Sequence, residues 1–145
     1  MEIYTIGFAK KNAEQFFEAI RREQIQQLID VRIHNSSQLA GFTKSGDLPY
    51  FLTRLCAASY RHEPLLAPTA ELLSSYRSKQ INWEQYEVEF LRLLESRRVE
   101  SVLSREEFEK KTVLLCSEAN ASKCHRRLVV EYLARFWPDV KAQHL

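Results

Sequence analysis

The chain has 145 residues, 45% of them hydrophobic and 28% charged, with only 3 Gly and 4 Pro, which excludes disordered, collagen-like and low-complexity architectures. Its length suits one globular domain and is short for two. With 21 Lys and Arg against 19 Asp and Glu, the formal charge is +2, so nothing global draws it to polyanions and any basic site is local.

Residues 2–6, Glu-Ile-Tyr-Thr-Ile, alternate in polarity and stop at Gly7, predicting a first strand. Asn12, with Gln15 three residues on and Phe16, Phe17 and Ile20 forming a stripe, predicts a capping box opening an amphipathic helix. Gln27 to Val31 reads as a buried strand with a polar tip at Asp30 and Arg32. Residues 33–46 are a long polar loop, of a length often tied to function in compact domains. A helix over about Leu48–Ala58, an extended piece at Tyr60–His62 and a short helix near 70–77 follow. Asn82 and Gln85 form a second capping box. Trp83, Tyr86, Phe90, Leu93 and Leu94 then lie at helical spacing, predicting a core-facing helix rather than a stacking platform. Thr112–Cys116 is a continuous apolar run, as in a central parallel strand. Ser122 is predicted to cap a last helix, Pro138 to end it, and residues 139–145 to form an edge strand.

No repeat or linker interrupts this order, so residues 1–145 read as one α/β domain with a largely parallel sheet and helices on both faces. No apolar run is long enough to cross a membrane. The segment MEIYTIGF lacks the features of a secretory signal, so a cytoplasmic protein is expected. Oligomeric state is not readable.

In a parallel sheet, ligands bind at the carboxyl ends of the strands, near the point where strand order reverses. Thr5-Ile6-Gly7, Asp30-Val31-Arg32 and Cys116-Ser117-Glu118 occupy three such ends. Cys124, His125 and Arg126 are predicted to fall in the first turn of the last helix. Its dipole disfavours cations there by ~0.3–1 kcal/mol each, a placement that makes sense if an anion sits at the site. The competing reading pairs Arg126 with a carboxylate such as Asp30 or Glu118. Asp30 and Glu118 are acid–base candidates, whose plainer role is to orient Arg32 and Arg126. Asn35 and Gln38 offer groups suited to polar ligand edges, and Phe42 offers a stacking face.

Three cysteines, Cys56, Cys116 and Cys124, argue for reduced thiols rather than a disulfide framework. Cys116 at a strand end is a nucleophile candidate. The phosphatase signature needs an Arg six positions later, where Ser122 stands, and a packed structural thiol is the plainer reading of both Cys116 and Cys124. A metal site from Cys116, Cys124 and His125 is conceivable but has no diagnostic spacing, so no metal is assigned and the cofactor is left unknown.

Thr5-Ile6-Gly7-Phe8, Asp30-Val31-Arg32, Ser37 to Phe42, Leu66-Ala67-Pro68-Thr69, and Leu114 to Glu118 followed by Cys124 to Leu128 together resemble the bacterial and archaeal domain-of-unknown-function family 488. The most specific part is Cys-x-Glu followed by Cys-His-Arg, downstream of Asp-Val-Arg. The resemblance implies a Rossmann-like α/β domain with a polar cluster at these positions, and implies no activity. Members often carry a proline-containing segment after Asp-Val-Arg; here Ile33-His34-Asn35-Ser36-Ser37 fits a subgroup with Asn.

The sequence thus leads to a small enzyme, a hydrolase or transferase, acting on a phosphate-bearing anionic substrate such as a nucleotide or nucleic-acid end. Asp30, Glu118, His125 and Cys116 are its catalytic candidates, and Arg32, Asn35, Gln38, Phe42 and Arg126 its substrate-binding ones. The alternative is a non-catalytic nucleotide-, nucleic-acid- or protein-binding module using the same anion site. Low net charge disfavours broad duplex binding.

Overall fold

The computed structural model describes residues 1–36 and 41–145. Among them, five strands pair in parallel: β1 (Glu2–Gly7), β2 (Gln27–Asp30), β3 (Ser59–His62), β4 (Thr112–Cys116) and β5 (Lys141–His144). Their order across the sheet is β3-β2-β4-β1-β5. The apolar run of β4 is explained by its place at the centre, buried on both faces. Ile3, Ile29, Leu114 and Cys116 point into one core, while Tyr4, Ile6, Leu28, Val113 and Leu115 point into the other. This is the two-residue period of the pleat.

Helices α1 (Ala13–Arg22) and α2 (Leu48–Cys56) cover the second core with Phe16, Phe17, Ile20, Leu48 and Leu52. The first core is closed by α4 (Trp83–Ser96), the single turn α5 (Val99–Val102) and α6 (His125–Ala134), with α3 (Ala70–Arg77) against α4. This is the expected α/β architecture, with a sheet that is wholly parallel. Among the described residues no helix is long and apolar enough to cross a membrane.

Strand order positions the site. The chain leaves β1 and β2 toward α1 and α2, but leaves β4, which lies between those strands, toward α6 on the opposite face. Connections that part to opposite faces open a crevice above the carboxyl end of β4.

Both predicted capping boxes form. Asn12 and Gln15 exchange side-chain to backbone bonds at α1, as do Asn82 and Gln85 at α4, at 2.8 and 2.9 Å in each case. Asn82→Ala is expected to cost about 1 kcal/mol, read as a lower urea midpoint at unchanged slope. The last helix departs from expectation. Asn120 caps a 3-10 turn at Ala121–Lys123 that contains Ser122, and α6 begins at His125 with Cys124 as its N-cap. The predicted edge strand is β5, which pairs with β1 of the same chain.

Candidate active site

Above β4 lies a cavity of about 250 Å³. Cys116, Cys124 and His125 border it together with Ser117 and Glu118, and Phe8, Pro68, Tyr76, Trp83 and Tyr86 supply much of its apolar wall. Arg32, Arg77, Lys123 and His34 bring cationic or titratable groups to the same space. Arg77 and Lys123 are exposed, and neither is in an ion pair among the described residues.

The cysteine and histidine chemistry is set by short distances. His125 Nε2 lies 2.7 Å from the Val31 carbonyl oxygen; a carbonyl only accepts, so Nε2 carries the hydrogen. Nδ1, 3.5 Å from Cys116 Sγ, is then the nitrogen with the lone pair in the neutral ring. Phe90 meets the imidazole edge to face, with centroids 5.4 Å apart, which fixes the ring plane. A hydrogen bond from the Cys124 thiol, and after it the neighbouring His125, hold Cys116 well below the usual thiol range despite burial. Cys124 moves the other way, through that same bond to Cys116, burial and the charge of Cys116. For His125, burial opposes the charged form, but Cys116 outweighs it and the imidazole stands above its ordinary value.

Asp30 and Arg32 form a second, separate group. Asp30 is fully buried and accepts from Arg32 Nε and Nη2 at 2.8 Å each, from the Arg32 backbone at 3.1 Å and from the Tyr60 hydroxyl at 2.7 Å. Burial and the bond to Asp30 push the Tyr60 phenol up to about 12, so it donates as a neutral hydroxyl. Arg32 also donates to Thr43, and its guanidinium lies over Phe8 at 5.5 Å. Its carbonyl accepts from His62 Nε2 at 2.7 Å.

Arg126 pairs with neither of the carboxylates the sequence offered, Asp30 or Glu118. It is 1% exposed, and its guanidinium donates to main-chain carbonyls of Glu118 and Ala119 and to Thr5 Oγ1, with no carboxylate partner among the described residues. Thr5 Oγ1 also shares a hydrogen bond with His144 Nδ1 at 2.6 Å. Burial and the nearby Arg126 lower the His144 pKa, which favours the neutral ring beside that guanidinium.

Of the sequence candidates, Arg32, Cys116, Glu118 and His125 meet at the cavity. Asp30 does not: the register pairs it with Leu115 rather than Cys116, on the face toward α1 and α2. Asn35 donates to the Tyr60 hydroxyl at 3.2 Å. Phe42 packs on Phe16 and Phe17 in the other core, drawn there by the α1 stripe. Gln38 lies outside the described residues. Arg126 is turned from the cavity by its carbonyl contacts. Sequence reasoning missed Phe8, Tyr76, Arg77 and Lys123, and took Trp83 and Tyr86 as core alone. The two rings stack at 5.2 Å and serve both as core and as cavity wall.

No curated protein matches this chain, and no solved structure does. The family model described as a domain of unknown function, DUF488, matches residues 12–133, which include β2 to β4 and the whole Cys-x-Glu and Cys-His-Arg region, and the chain belongs to that family.

Proposed function

We propose that the protein is a small enzyme, a hydrolase or transferase, whose substrate carries a phosphate or similar anion and a flat apolar part, as a nucleotide or a nucleic-acid end does. The observation that carries this reading is the composition of the cavity above β4. Aromatic walls, two exposed cations without ion-pair partners and a floor of Cys116 and His125 converge on about 250 Å³. A concave, largely apolar space with a few convergent polar groups is the usual form of a small-molecule site. The flat part lies against Trp83, Tyr86 and Tyr76, and the anion against Arg77 and Lys123. Arg32 lines the same space, with part of its guanidinium committed to Asp30 and Thr43. Asp30 acts as a positioning residue for Arg32, and Cys116 and His125 are the chemically competent groups held against the substrate. A binding module would use the same walls and cations without turning its ligand over.

The first test is a thermal-shift screen of reduced protein against nucleotides, phosphorylated metabolites and short oligonucleotides. A ligand at about a hundred times its Kd stabilises by ~2.7 kcal/mol. Arg77→Ala and Lys123→Ala, both at exposed positions, are expected to remove that shift while leaving the unliganded Tm in place. A shift that survives both substitutions, or no shift with any anionic compound, overturns the proposal. A shift without turnover of the compound leaves the binding module instead.

A further inference from the structure

We infer that Cys116, Cys124 and His125 hold a zinc ion at the floor of the cavity. This deepens the enzyme reading and rests on it only for what the ion would do; the binding itself follows from the three side chains.

The ligand atoms of these residues all lie within 4.8 Å of one another. Bond lengths of about 2.3 Å to sulfur and 2.0–2.1 Å to nitrogen put the sulfur–nitrogen edge of a tetrahedral zinc site at about 3.5 Å. Cys116 Sγ and His125 Nδ1 are 3.5 Å apart. The histidine is also oriented as a ligand needs to be. Nε2–H is committed to the Val31 carbonyl at 2.7 Å, which leaves Nδ1 to coordinate and supplies the carbonyl partner that metal-bound histidines ordinarily have. Cys124, the N-cap of α6, places its sulfur in the same cluster, within 4.8 Å of both the Cys116 sulfur and the His125 ring nitrogen. Two thiolates neutralise a divalent ion, so the loaded group adds no net charge to a buried site.

The donor set selects the metal. Two sulfurs and an imidazole suit zinc better than magnesium or calcium, which take oxygen. All three residues border the cavity. Three protein ligands with the remaining position open to substrate or water is the pattern of catalytic rather than structural zinc. In this arrangement Cys116 is a ligand and not a nucleophile.

Cobalt titration of the reduced, metal-stripped full chain tests the inference directly. The expected result is a near-ultraviolet thiolate-to-cobalt band, with visible bands of tetrahedral intensity, saturating at about one equivalent and displaced by zinc. Cys124→Ser and His125→Gln are expected to weaken cobalt binding by about a hundredfold or more. Cys56→Ser, whose sulfur lies against the Phe17 carbonyl on the other face, is expected to leave it intact. The wild-type titration stands whether or not a variant folds. Absence of the charge-transfer band in reduced wild-type protein overturns the site, and so does loss of the band in Cys56→Ser. Cobalt uptake without any anionic ligand would sink the enzyme reading alone. An anionic ligand bound by protein that takes up no cobalt would sink the zinc site alone.

Discussion

Gly7→Ala is expected to destabilise the protein by about 3 kcal/mol or more and to remove ligand binding in the cavity with it. Gly7 ends β1 next to Cys116 of β4, and its φ is not positive, so backbone freedom is not why glycine stands there. Space is the reason. A Cβ at this position would lie 1.6 Å from the Glu118 carbonyl oxygen and 2.5 Å from Arg126 Nη1. The carbonyl is main chain and cannot swing aside as a side-chain tip would. The segment 117–119 has to lift, and Arg126 then loses the carbonyls that satisfy a buried guanidinium, each worth about 1–3 kcal/mol if left unpaired. Ser117 and Glu118 border the cavity, so the same displacement reshapes it. Urea unfolding measures the first effect, and Gly41→Ala and Gly46→Ala are the controls, since a Cβ at either meets nothing within 4 Å. Those two are expected to change stability by no more than about 0.5 kcal/mol. If Gly7→Ala is as mild as they are, the account of Arg126 as the clamp on segment 117–119 fails.

Much of this architecture was legible because it rests on short-range signals. Capping boxes at Asn12 and Asn82 need only four consecutive residues, and the β4 run shows its central position by having no polar face. The start of α6 was misplaced because two caps compete there. Ser122 looks like an N-cap, but Asn120 takes the capping role one turn earlier, for a 3-10 turn that ends at Cys124. Convergence of Arg32, Cys116, Glu118 and His125 at one end of the sheet followed from strand polarity alone. What could not be read was register. Whether Asp30 shares a face with Cys116 or with Leu115 depends on a one-residue phase between β2 and β4, and such a phase sends a side chain to the opposite side of the sheet. Cavity walls from α3 and α4 were hidden for a related reason: a stripe at helical spacing looks the same whether its end packs in the core or borders a void. The partners of Arg126 were likewise out of reach, because backbone carbonyls as acceptors leave no trace in side-chain composition.

Asp30→Asn is expected to cost about 3–5 kcal/mol, and the size of that loss decides what Asp30 is for. The wild-type carboxylate receives four hydrogen bonds, three from Arg32 and one from Tyr60. Asparagine matches its shape, but in either orientation its NH2 group faces Arg32 donors, Nη2 in place of Oδ2 or Nε and the backbone N–H in place of Oδ1, and the charge that balanced the guanidinium is gone. Arg32 is only 5% exposed, so it cannot recover that balance from water. Removing one member of a buried pair costs more than the pair contributes, because the survivor stays desolvated and uncompensated. Arg32→Met in the same chain therefore restores part of the loss, and the double variant is expected to be less destabilised than the sum of the singles by about 1–3 kcal/mol. A catalytic base predicts a different pattern: turnover abolished, fold and ligand affinity intact, and no rescue by a change at Arg32. With equilibrium unfolding and ligand binding measured on the three variants, a well-folded Asp30→Asn protein that binds normally but does not turn over would return Asp30 to the chemistry. A destabilised one, partly rescued by Arg32→Met, makes it the anchor that sets Arg32 at the rim of the cavity.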